Sequence, residues 1–155
     1  MEVHIPCRRR QKWGKMKSSE IKKNILKIAT DVFRDPRVLF AYLYGSYAVD
    51  QAHPFSDLDI AIYAPRLSQR EKLDLEMALA LEIDKKLKQG PASDVRIMNS
   101  LPLAVVGKII TEGVLIYCHD DKARVDYETA IRSAYFDFLP FIHNYHKTYL
   151  EQIVL

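Results

Sequence analysis

Val38-Leu39-Phe40-Ala41-Tyr42-Leu43-Tyr44-Gly45-Ser46 and, after ten intervening residues, Asp57-Leu58-Asp59-Ile60-Ala61-Ile62-Tyr63 are the stretches that decide the fold. The first is a short, nearly continuous apolar run stopped by a glycine, the pattern of a buried strand. The second alternates. Leu58, Ile60 and Ile62 point one way and Asp57, Asp59 and Ala61 the other, as in a strand with one face in the core. Residues 46–56 make a short polar connection with room for one helical turn.

Outward from this pair, strands and helices alternate. Ser18 and Ser19 occupy an N-cap position ahead of Ile21, Ile25, Ile28 and Val32 at helical spacing, and Asp35-Pro36 stops that helix. Ser68-Gln69-Arg70-Glu71 has the capping-box pattern. It opens a second helix with the stripe Leu73, Met77, Ala80, Leu81, Asp84 and Leu87, ended by Gly90-Pro91. Asp94-Val95-Arg96-Ile97-Met98 reads as a strand. Asn99 and Ser100 cap a helix from Pro102 to Glu112, closed by Gly113, and Val114–Cys118 is a last strand. From Asp121 a long helical pattern runs to the C-terminus, interrupted at Pro140. This order predicts an α/β (α+β) fold, a small mixed sheet with helices packed on it and a long C-terminal helical segment.

A chain of 155 residues is one domain by default and large enough to bury a core without disulfides. The apolar share of 48% and charged share of 28% fit an ordinary globular protein. The formal net charge of +3 is unevenly placed. Arg8, Arg9, Arg10, Lys12, Lys15, Lys17, Lys22 and Lys23 crowd one stretch against the single acid Glu20, so the remainder is net acidic. Residues 1–17 read as a basic, flexible leader rather than a nucleic-acid contact, and residues 18–155 as the domain. Cys7 and Cys118 imply neither a disulfide framework nor a zinc site. No apolar run reaches the ~18–20 residues that span a bilayer, and no apolar segment follows the N-terminal arginines as a secretory signal requires. A reducing, cytoplasmic setting is the simplest fit.

The chemistry concentrates in three carboxylates and one turn. Period 2 places Asp57 and Asp59 on one face of their strand, and Asp94 shares the polar side of the next, because Val95 and Ile97 take its core side. Like charges about 4 Å apart at an effective dielectric of ~20 cost about 4 kcal/mol per pair, so a cation or a raised pKa must relieve them. A few hard oxygen ligands suit Mg²⁺ that also takes substrate phosphate oxygens, and two such ions would align an in-line displacement at phosphorus. Gly45 lets the backbone approach a phosphate closely, and the turn's N–H groups with the Ser46 hydroxyl are donors to it.

Gly45-Ser46, ten residues, then Asp57-Leu58-Asp59 resembles the signature of the polymerase-β-type nucleotidyltransferase superfamily. The short chain, Ser56 before the aspartates, Ile60-Ala61-Ile62 after them, and Tyr127-Glu128 through Tyr135-Phe136-Asp137-Phe138-Leu139-Pro140 resemble more narrowly the minimal nucleotidyltransferase antitoxins paired with HEPN toxins. That resemblance, over roughly residues 20–150, implies transfer of AMP from ATP to a tyrosine of a partner HEPN ribonuclease. It implies that Gly45 and Ser46 hold the triphosphate, that Asp57 and Asp59 bind Mg²⁺, and that Asp94 completes the metal site and helps take the acceptor's proton. In one departure, Val49 and Asp50 follow Ala48 where many relatives have Arg and Gly. Two other readings are a non-catalytic antitoxin that works by occlusion, and a nucleotidyltransferase with a small-molecule acceptor such as an aminoglycoside.

Other residues carry less. Arg96, beside Asp94, reads first as its surface ion-pair partner. His53 reads as a loop histidine, and His143 and His146 as surface or interface residues lacking a third metal ligand. Of Tyr127, Tyr135, Phe138, Phe141, Tyr145 and Tyr149, half or more are expected in the core, and the rest at a partner interface. Because the leader lacks apolar periodicity, a chain starting at Met16 is expected to fold and act like the full chain. A loss of thermal stability or of AMP transfer on that truncation would show the leader to be part of the domain.

Overall fold

The structure, a computed structural model, describes residues 17–153. Cys7 and the leader, apart from Lys17, lie outside the described residues. The order is α1 (Ser18–Val32), β1 (Phe40–Tyr44), a 3₁₀ turn (Gly45–Tyr47), β2 (Leu58–Tyr63), α2 (Gln69–Leu87), β3 (Ser93–Ile97), a 3₁₀ turn (Met98–Ser100), α3 (Leu103–Glu112), β4 (Val114–Cys118) and α4 (Asp121–Ile153). The four strands form one sheet in the order β3-β2-β1-β4. β1 runs antiparallel to β2 and β4, while β2 and β3 are parallel. The mixed sheet with its long C-terminal helix is the architecture that the strand and helix patterns predict.

β1 is apolar throughout because helices cover both faces of the sheet. On one face Leu43, Leu58, Ile60 and Ile62 pack with Ile21, Ile25, Ala29 and Val32 of α1 and Leu75, Leu79 and Ile83 of α2. On the other, Phe40, Tyr42 and Ala61 pack with Met98 and with Val106, Ile109 and Ile110 of α3, and Tyr127 and Ile131 of α4 lean on them. The aspartate-bearing face of β2 is therefore apolar from Ala61 onward and polar only at its start.

Several boundaries and faces differ from the sequence reading. Lys17 holds the N-cap position of α1 and Ser18 is already helical. The capping box of α2 is complete, with Ser68 and Glu71 each accepting from the other's backbone N–H. The buried row of α2 is Leu75, Leu79 and Ile83, however, and Leu73, Met77 and Leu81 face solvent. Both rows have helical period, so periodicity alone does not choose between them. The rotation is set by polar ties to β3: Glu76 accepts from the Ile97 N–H at 2.9 Å, and Asp84 from the Ser93 N–H at 2.9 Å and hydroxyl at 2.7 Å. α2 stops at Leu87, where Lys88 takes a positive φ of 38°, ahead of Gly90.

α4 continues through Pro140 without a break. Proline removes one intrahelical hydrogen bond, here to the carbonyl of Phe136, and both residues are exposed, so water can satisfy the freed group. The aromatic expectation for this helix is also corrected. Tyr127 and Tyr135 pack inward, but Phe138, Phe141, Tyr145 and Tyr149 are exposed. Length explains it: 33 residues of α4 span about 50 Å, whereas the 10 residues of α3 beneath it span about 15 Å. No helix among the described residues is long and apolar enough to cross a membrane.

Where α4 crosses α3, the Tyr135 ring lies on Gly107, and a Cβ on Gly107 would stand 2.7 Å from Tyr135 Cε2 and overlap the nearer ring atoms. Alanine is favoured over glycine by about 1 kcal/mol inside a free helix. Overpacking at a ring that cannot retreat costs about 1–3 kcal/mol. Gly107→Ala is therefore expected to lower the urea midpoint. An unchanged or raised midpoint would refute this helix contact.

Candidate active site

The site is laid out by strand register. Tyr44 stands opposite Asp59 in the antiparallel β1–β2 pair, and Asp59 opposite Asp94 in the parallel β2–β3 pair. Opposed residues share a sheet face, so Tyr44, Asp59 and Asp94 form one row across three strands. Asp59 and Asp94 are half-buried. Asp57 lies one residue before β2 and is exposed, at the mouth of the row rather than inside the strand.

Gly45 ends β1 with φ of 70°, a conformation that side chains resist. A Cβ at this position would overlap Asp59 Oδ2 and sit 3.1 Å from Asp59 Cγ. Glycine is thus required both by the backbone angle and by the carboxylate pressed against it. The half-buried Ser46 follows in the 3₁₀ turn, where the Ala48 N–H donates to Gly45 O at 3.1 Å and the Gln51 N–H to Ser46 O at 2.9 Å. The structure brings Gly45, Asp59 and Asp94 together, with Ser46 and Asp57 on either side.

This crowding has an electrostatic cost. Burial pushes the Asp59 carboxyl above its ordinary range, the charges of Asp94 and Asp57 push it the same way, and Arg96 opposes them. Arg96 Nε donates to Asp94 Oδ1 at 3.0 Å, which makes it the ion-pair partner that its place beside Asp94 suggests. Among the described residues no three His, Cys, Asp or Glu side chains group closely enough to cage a metal unaided. Two facing carboxylates with a third at the entrance are an open donor set. Such a set fits Mg²⁺, which keeps waters and takes oxygens from a substrate phosphate.

A cavity of about 820 Å³ adjoins the site on the α1 side of the loop, lined by Ser18, Ile21, Tyr47, Phe55, Asp57 and Pro91 among others. It shares Asp57 with the site, but Gly45, Ser46, Asp59 and Asp94 do not line it, so the cavity and the sheet row are neighbouring rather than coincident features. Tyr44 is a member of the row that sequence reading misses. Burial first, then the charges of Asp59 and Asp94, push its hydroxyl up to about 12. Its position directly before the glycine on a strand antiparallel to the aspartate strand is the available signal. His53, His143 and His146 are exposed.

A family model described as "Polymerase beta, Nucleotidyltransferase" matches residues 23–122. No curated protein sequence matches the chain. Among solved structures, a toxin–antitoxin with AMP-PNP aligns over 84% of this chain and 98% of its own, at 17% identity and a TM-score of 0.59. The complex of a tri-AMPylated Shewanella oneidensis HEPN toxin with MNT antitoxin aligns over 86% and 99%, at 16% identity and a TM-score of 0.57. The toxin–antitoxin MntA–HepT aligns over 86% and 99%, at 15% identity and a TM-score of 0.56. At such identities the likeness is one of fold.

An acid held above its unfolded pKa binds more protons in the native state, so its contribution to stability is lost as pH rises through the folded value. Ionising Asp59 above that raised value therefore destabilises the metal-free protein. Asp59→Asn is expected to melt higher than wild type at pH 7 without metal, with the difference shrinking as pH falls through the raised folded value toward the ordinary carboxyl value of ~4. Should the variant melt lower at pH 7, the carboxylate repulsion assigned here is wrong.

Proposed function

Because this chain belongs to the polymerase β nucleotidyltransferase family, we propose that it is a protein adenylyltransferase antitoxin, moving AMP from ATP to a tyrosine of a partner HEPN ribonuclease. The observation that carries this reading is Asp59 pressed against the Gly45 backbone with Asp94 opposite it on β3, a concentration of negative charge beside a turn suited to phosphate. The fold likeness to complexes of HEPN toxin with MNT antitoxin, one of them holding a tri-AMPylated toxin, supports the choice of partner and reaction.

In this reading the backbone and hydroxyl of the Gly45-Ser46 turn hold the triphosphate. Asp57 and Asp59, with Asp94, hold magnesium, which supplies charge neutralisation on the phosphate oxygens when bound. The acceptor's phenolic oxygen bonds to the α-phosphorus, the bond from that phosphorus to the bridging oxygen breaks, and pyrophosphate leaves. A tyrosyl hydroxyl with an ordinary pKa near ~10 is a poor nucleophile at neutral pH, so its proton must be taken. In this reading Asp94 takes it through the oxygen that does not receive the Arg96 hydrogen bond. The rest of the catalysis is positioning, for which residues on a rigid sheet are suited.

The test is mass spectrometry of the HEPN partner after incubation with ATP and Mg²⁺. Wild type is expected to add one or more AMP masses to a partner tyrosine. Asp59→Ala should transfer at least about 100-fold more slowly while still binding the partner. If neither protein adds mass yet both protect cells from the toxin, neutralisation is by occlusion and the transferase reading fails.

A further inference from the structure

The loop from Ser46 to Ser56 carries the phosphate-binding half of the site, yet most of its hydrogen bonds are local. The Ala48 and Gln51 N–H groups bond to Gly45 and Ser46, and Ser56 bonds back to His53 through both its N–H and its hydroxyl. Among the described residues, one side chain from outside the loop hydrogen-bonds to it. Lys22 of α1 donates from Nζ to Ala48 O at 2.9 Å and to Asp50 Oδ1 at 3.0 Å.

The surroundings favour this clamp. The Lys22 side chain is 22% exposed, so its stem is held along the domain while its ammonium reaches the turn. Asp50 has φ of 57°, a left-handed conformation that aspartate tolerates better than most residues but that still carries strain. The pairing with Lys22 gives Asp50 a compensating contact in that conformation. Tyr47 and Ala48 are buried in the α1-side core, so α1 fixes the turn through apolar contact on one side and the ammonium on the other. An exposed ion pair alone contributes little. Here the ammonium also satisfies a main-chain carbonyl two residues after Ser46.

We propose that Lys22 is a positioning residue for the nucleotide site: by joining Ala48 O and Asp50 it holds the Gly45–Asp50 turn in its phosphate-accepting form. The effect on nucleotide rests on the transferase reading; the effect on the turn does not.

The experiment compares wild type, Lys22→Met and Lys22→Arg in two measurements. Hydrogen exchange reads the turn directly. Lys22→Met should exchange the Ala48 and Gln51 amides at least about tenfold faster, with the amides of β1 and β2 unchanged, and Lys22→Arg should restore most of the protection. Titration with Mg²⁺ and AMP-PNP reads the site. Lys22→Met should bind about tenfold more weakly, and in transfer assays its KM for ATP should rise more than kcat falls. Asp50→Asn, which keeps the tolerance for positive φ and removes only the ionic half, should shift exchange in the same direction by a smaller factor. Unchanged protection in Lys22→Met overturns the proposal. So does faster exchange with unaltered AMP-PNP affinity. A wild-type chain that binds no AMP-PNP sinks the transferase reading instead, and exchange then decides the role of Lys22 in the turn.

Discussion

The contact on which the site depends is the approach of the Gly45 backbone to the Asp59 carboxylate. It exists because β1 and β2 pair antiparallel with Tyr44 opposite Asp59, so the chain leaving β1 must pass the aspartate at the next residue. Any side chain at position 45 would occupy the carboxylate's space. The same register puts a phosphate-suited turn and an acidic row within one strand spacing, about 4.8 Å. Shifting the β1–β2 register by one residue would turn Asp59 into the α1–α2 core and bring Leu58 or Ile60 out, so the hydrophobic pattern of β2 protects the site's geometry.

β2 meets opposite demands on its two faces. Fully burying one leucine or isoleucine contributes about 1.5–3 kcal/mol, and Leu58, Ile60 and Ile62 are all fully buried. One like-charge pair at close range and intermediate dielectric costs about 4 kcal/mol. Three such side chains on the core face therefore outweigh one unrelieved carboxylate pair on the other. Ala61, buried under α3, confines the polar region to the beginning of the strand. The site can hold charge in an unfavourable arrangement because the stabilising contacts lie on the opposite face.

How much of this was legible in the sequence follows from which interactions are local. Strand identity, the capping box of α2 and the shared face of Asp59 and Asp94 depend on short-range periodicity, and they stand in the structure as read. The buried row of α2 was misread because two rows of equal period compete, and the decision comes from Glu76 and Asp84 reaching β3, a tertiary contact with no local trace. The break at Pro140 was misread because a proline rule that applies to packed helices does not bind where the freed carbonyl is exposed. The place of Tyr44 in the acidic row and the contact of Lys22 with the turn were not legible: one needs the β1–β2 register and the other the packing of α1 against the turn.

Val49 and Asp50 show how one departure can be read physically. Position 50 adopts a left-handed φ, which explains why glycine would be at ease there. Aspartate is among the few residues that enter this region without prohibitive cost, and here its carboxylate meets Lys22. Val49, 40% exposed, presents an apolar side chain to solvent and adds no charge to the site. The turn is thus conformationally complete without glycine at position 50. The positive charge nearest to it comes from α1, and on the sheet row itself Arg96 is already engaged by Asp94. On the proposed transferase reading, an incoming triphosphate meets a turn joined to α1 by Lys22 and an acidic row in which Arg96 pairs with one carboxylate. Its negative charge must be offset mainly by main-chain N–H groups and by cations arriving with it, which is the arrangement that an open set of aspartates accommodates.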